Sequence, residues 1–98
     1  MHASLTTVRG AGRDVAETAR LAAESMLTWL RDFDGYRGLL VLADPGSGRA
    51  RIMTLWESSE DLERSARGRA QVRESMVAAA GAEIESVEVY ELVLDDRP

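Results

Sequence analysis

Residues 39–62, LLVLADPGSGRARIMTLWESSEDL, hold the reading that decides the fold. Leu39 to Ala43 are apolar at consecutive positions, so the strand they form wants cover on both faces. In DPGSG, residues 44–48, proline fixes one backbone angle and the glycines permit positive φ, which makes a hairpin turn. RIMTLW, residues 51–56, is therefore a strand antiparallel to the one before it. Directly after Trp56 the chain becomes acidic and polar. Ser58, with Asp61 three residues on, reads as a helix N-cap whose side chain takes up a free backbone N–H. The segment is a strand, a turn, a strand and a helix start.

Working outward, ASLTTVR at residues 3–9 is β-compatible and GAGR punctuates it. Asp14, with Glu17 three residues later, caps a helix beginning near Val15. Its residues Val15, Ala19, Ala22, Ala23, Met26, Leu27, Trp29, Leu30 and Phe33 form one apolar side at 3.6-residue spacing. DGYRG ends that helix. The second helix is expected to run from the Ser58 cap to AAAG, with Gly81 as its C-terminal stop. IESVEVYELVL, residues 84–94, is a last strand. Strict alternation puts Val87, Val89 and Val93 on one side and Ile84, Tyr90, Leu92 and Leu94 on the other.

The order β-α-β-β-α-β predicts a single α+β domain over 1–98, ferredoxin-like, with an antiparallel sheet and two helices on one face. Helices on one face leave the other bare. Two sheets packed across a two-fold axis would bury it, forming a dimeric α+β barrel, so a homodimer is expected.

Composition limits the function. The chain is 98 residues long, 45% hydrophobic and 30% charged, with a net charge of -5. No basic stripe suits nucleic acid, which is not expected as a partner. No apolar run approaches a membrane span, and no secretory signal is legible, so no membrane partner and a cytoplasmic location are expected. The chain has no cysteine and one histidine, which is too little for a thiolate site or a typical His-based metal cluster, so no metal is expected. No Ser-His-Asp set can be built around the single, terminal His2, and no glycine-rich phosphate loop precedes a helix. No cofactor is expected.

GYRGLLVLADPGSGRARIMTLWESSEDLERS at residues 35–65, with the closing AEIESVEVYELVL at 82–94, resembles the antibiotic biosynthesis monooxygenase family of dimeric α+β barrels. The resemblance implies a pocket between sheet and helices, lined in part by Trp56. Cofactor-independent oxygenases of aromatic polyketides, small quinol oxygenases and haem-degrading oxygenases share that family. The haem-degrading members use an asparagine on the first strand, a tryptophan ending the third and a histidine on the second helix. This chain has no asparagine, has Thr6 and Thr7 on the first strand, and has Ala66 and Arg67 where the histidine would lie. Haem degradation of that type is disfavoured because no imidazole is available there to hold iron.

Arg69 and Arg73 are the sharpest feature of the second helix. On a continuous helix both project within roughly 20° of Leu62, along a stripe with Ala66, Met76 and Ala80. Either their stems are buried and the charges reach water, or a buried guanidinium is paired, by Glu57, by Glu91 or by an anionic ligand oxygen. Trp56 shares a strand face with Ile52 and Thr54, where it either fills the core or lines the pocket. Trp29 and Tyr36 could edge the same cavity. The candidate site is therefore Arg73, Arg69 and Trp56 as catalytic residues, with Trp29, Tyr36, Ile52, Thr54, Ala66 and Met76 around a small aromatic molecule. Two functions follow: a cofactor-independent monooxygenase of a hydroquinone or polyketide anthrone, or a non-catalytic dimer that binds a small ligand.

Overall fold

The computed structural model describes residues 1–10, 14–44 and 46–98. Its elements run β1 (His2–Gly10), α1 (Val15–Leu30), β2 (Tyr36–Asp44), β3 (Arg49–Trp56), α2 (Ser59–Arg64), α3 (Ala66–Ala79) and β4 (Ala82–Glu91). The strands form one sheet in the order β2-β3-β1-β4, antiparallel throughout, which is the ferredoxin-like α+β arrangement. The break expected at GAGR and the role expected of Pro45 involve residues 11–13 and 45, outside the described residues.

Both expected caps form. Asp14 accepts from the backbone N–H groups of Ala16 and Glu17, and Ser58 Oγ accepts from Asp61 N at 3.1 Å. Ser58 also donates to Asp61 Oδ2 at 2.9 Å, so the polar run after Trp56 is largely the chemistry of a helix start. In the β2–β3 turn, Asp44 accepts from Gly46 N through its side chain and from Ser47 N through its carbonyl, and Gly48 takes φ +70°.

The register sorts the sheet into two faces, because directly paired residues point the same way. Tyr36, Trp56 and His2 form one inward row, Leu39, Thr54 and Ser4 the next, and Val41, Ile52 and Thr6 a third. The helices pack here: Ala19, Ala22, Ala23, Met26 and Leu30 of α1 and Val77 of α3 join Ile52 and Trp56 in the core. The opposite face carries Leu40, Met53 and Leu5 in one row, with Leu42 beside Arg51 in another. Leu40 and Leu42 stay 38% and 52% exposed. The consecutive apolar residues of β2 do divide between the two faces, as read from the sequence.

Three expectations need correction. The second helix is broken at Ser65 into α2 and α3 rather than continuous. The last strand ends at Glu91, short of residue 94; only Leu92 N continues the pairing, donating to the Met1 carbonyl at 2.9 Å. Its alternation is also interrupted. A bulge opposite Thr7/Val8 pairs Thr7 with Ser86 and Val8 with Ile84, skipping Glu85. Ile84 and Val87 therefore share the inward face instead of opposing each other.

Candidate functional site

The site starts with the inward alternation of β1 and β3. Ser4 and Thr6 on β1 stand beside Thr54 and Ile52 on β3, so three hydroxyl side chains interrupt an otherwise apolar surface. Arg69 and Arg73, one turn apart on α3, reach this patch from above, and Met26 and Leu30 of α1 complete the wall. Together they enclose a cavity of about 20 Å³.

Arg69 is only 6% exposed. Its Nε donates to Ser65 Oγ at 2.8 Å and its Nη2 to the Leu62 carbonyl at 2.7 Å, while Nη1 reaches Ser4 Oγ at 3.4 Å. Its guanidinium carbon lies 5.2 Å from the Trp56 ring centroid, within cation–π range. This network explains the helix break. Ser65 Oγ also donates to the Leu62 carbonyl, so that carbonyl is held by side chains at the end of α2 rather than by the next turn of a continuing helix. Burial, followed by the nearby charge of Arg73, pushes the Arg69 guanidinium down to about 10. It stays protonated at neutral pH.

Among the described residues neither arginine forms an ion pair with a carboxylate. Glu57, on the outward side, pairs with Arg37 at 2.5 Å, and Glu91 forms no ion pair with either arginine. Of the alternatives left open by the sequence, pairing of Arg69 or Arg73 by Glu57 or Glu91 is not the one found. Arg73 is half-buried, and its Nε is buried without a hydrogen-bond partner. Burial also lowers its pKa, with Glu74 working in the opposite direction.

Trp56 is completely buried beneath Arg69. Its indole Nε1 donates to Thr54 Oγ1 at 2.9 Å, which fixes the ring while Thr54 stays on the cavity wall. Tyr36 meets it edge-on at 5.8 Å between centroids and Phe33 at 6.3 Å. Tyr36 thus supports Trp56 and does not line the cavity; burial raises its pKa.

The remaining candidates lie elsewhere. Trp29, which periodicity places on the apolar side of α1, is 54% exposed and falls outside the buried stripe, a correction to the sequence expectation. With Phe33, Val72 and Met76 it lines a separate, more open groove of about 400 Å³ between α1 and α3. Ala66 is exposed, because the break at Ser65 removes it from the stripe it would share with Leu62 on a continuous helix. Ser4, Thr6 and Ser65 escaped the sequence reading; the signal for the first two was the polar i, i+2 pair on the inward phase of β1. His2, set aside as terminal, sits within β1 opposite Trp56, with its Nδ1 buried and unpartnered.

No protein-family model and no curated protein sequence matches the chain. Solved structures do. A Deinococcus radiodurans protein provisionally assigned as an antibiotic biosynthesis monooxygenase superposes with TM-score 0.69 at 18% identity, covering 100% of this chain and 98% of that one. The monooxygenase from the Streptomyces coelicolor gene ActVA-Orf6, solved with nanaomycin D, gives 0.67 at 17% identity over 99% and 91% of the two chains. A point mutant of MhuD, solved with two manganese protoporphyrin IX molecules per active site, gives 0.72 at 20% identity over both whole chains. The chain has the fold of these proteins along its full length.

Proposed function

We propose that this chain is a member of the antibiotic biosynthesis monooxygenase family: a homodimeric, cofactor-independent oxygenase of a small electron-rich aromatic, of hydroquinone or anthrone type. The observation that carries the proposal is the pair of inward guanidinium groups, Arg69 and Arg73, set beside Trp56 with no carboxylate to neutralise them. Fixed positive charge in a poorly solvated site favours an ionised phenol or enol over the neutral form. An electron-rich anion of this kind reduces oxygen directly. One electron passes to O2, the two radicals join through a new C–O bond, and the resulting peroxide loses water to leave a carbonyl. For an anthrone methylene, the substrate supplies all four electrons; one oxygen atom enters the product and the other leaves as water with both hydrogens. In this scheme Arg73 and Arg69 hold the developing anion, Trp56 keeps Arg69 in place, and Ile52 and Thr54 form the floor.

Oxygen uptake with a panel of hydroquinones and anthrones tests the proposal. The wild type should turn over at least one of them, and Arg73→Ala should lower kcat by roughly 10²-fold, the usual loss for one electrostatic donor. Rates unchanged in both Arg73→Ala and Trp56→Phe would remove these residues from the mechanism. A second reading, a non-catalytic dimer that binds a small ligand, is favoured by the lack of any asparagine and of a histidine on the second helix, residue types that oxygenases of this family use. Ligand binding without oxygen uptake on any member of the panel would select it.

A further inference from the structure

The two arginines of the cavity are not equivalent. Arg69 spends its donors within the fold, on Ser65, the Leu62 carbonyl and Ser4, and lies against Trp56. It ties α2, α3 and β1 together. Arg73, one turn later, has a buried Nε with no acceptor and no ion pair among the described residues. A donor of this kind, withdrawn from water and left without a partner, carries a desolvation cost that a ligand acceptor would relieve.

The charge balance narrows the ligand. Two like charges share one wall of the cavity, and the other polar groups on it, Ser4, Thr6 and Thr54, are neutral hydroxyls. A neutral phenol supplies an acceptor and no countercharge until it ionises, whereas a carboxylate brings a full negative charge at neutral pH. Its two oxygens also match the guanidinium fork. The size agrees, since about 20 Å³ admits a head group of a few atoms and not a ring system. Resting on the reading of this cavity as a ligand site, we infer that it recognises a hydroxylated aromatic acid through its carboxylate. Arg73 is the recognising residue and Arg69 is the structural one.

A matched pair of fluorescent, air-stable probes, 1-hydroxy-2-naphthoic acid and 1-naphthol, separates this inference from the oxygenase chemistry because binding is read without turnover. The wild type should bind the acid at least about 10-fold more tightly than the naphthol, the scale of one desolvated charge pair. Arg73→Gln should abolish that preference, and Arg73→Lys should keep part of it. Arg69→Gln should instead lower the melting temperature and weaken both probes. Equal affinity for the two probes, no binding of the acid at millimolar concentration, or a preference that survives Arg73→Gln would overturn the inference. Acid-selective binding with no oxygen uptake would leave it standing and discard the oxygenase; turnover of neutral hydroquinones without acid preference would do the reverse.

Discussion

At the scale of single residues, the site depends on contacts that hold Trp56 still. Among the described residues Thr54 is the only partner of the buried indole N–H, so Thr54→Val leaves a desolvated donor unmet. A loss of about 1–3 kcal/mol is expected, read from urea denaturation at constant m-value. Gly68 is constrained from another direction. A β-carbon there would lie 2.7 Å from Phe33 Cζ, so the ring that packs on Trp56 would have to move. Gly68→Ala should cost about 1–3 kcal/mol through overpacking, and Phe33→Leu should recover part of that loss in the double variant. Trp56 was legible as an inward residue because strand alternation puts it with Ile52 and Thr54. Its hold on Arg69 was not, since that contact joins positions brought together only by the packing of α3 on the sheet.

At the scale of elements, the cap after β3 and the bulge in β4 carry the expectations. Ser58→Ala removes the side chain that satisfies Asp61 N at the start of α2, at a cost of about 1 kcal/mol. Because Arg69 and Ser65 meet the other end of this short helix, fraying of α2 should also loosen the cavity wall. The bulge frees Glu85, whose carboxylate binds Arg49 at 2.7 Å and approaches Arg9 at 3.9 Å, between two like charges that face each other across β1 and β3. The Arg49 hydrogen bond holds the Glu85 carboxyl below its ordinary 4.5 in the folded protein. A depressed carboxylate stabilises the fold above its unfolded pKa and loses that contribution as pH falls through the folded value. Glu85→Gln should therefore reduce stability at neutral pH and flatten the acid limb below about 4.5 in thermal melts; an unchanged acid limb would contradict the assignment. The caps were visible as residue types at fixed spacing. Neither the helix break nor the bulge was, because each is made by a partner distant in sequence.

At the scale of the whole molecule, the helices cover one face of the sheet and leave Leu40, Leu42, Met53 and Leu5 on the other. An open apolar sheet face in a chain of 98 residues calls for cover, and a second copy related by a two-fold axis would supply it with the same surface. The expected result is a dimeric mass in sedimentation equilibrium at micromolar concentration, shifted toward monomer by the double substitution Leu40→Asp and Leu42→Asp. A monomeric wild type would contradict the dimer. Among the described residues no helix is long and apolar enough to cross a membrane.

Local patterning by itself determined the element order, the β2–β3 hairpin, both helix caps and the inward phase of β3, since each follows from residues within about a turn or a strand pair of one another. It also marked Arg69 and Arg73 as out of place on an apolar stripe. Only the tertiary structure decided what became of them. Arg69 closes α2 and braces Trp56, Arg73 keeps an unmet donor beside three hydroxyls, and Trp29 and Met76 fall into a different groove. The physical reason is that desolvation and hydrogen-bond partnership are properties of three-dimensional neighbours: Ser4 and Arg69 meet across 65 residues of chain, and no periodicity within either segment encodes that meeting.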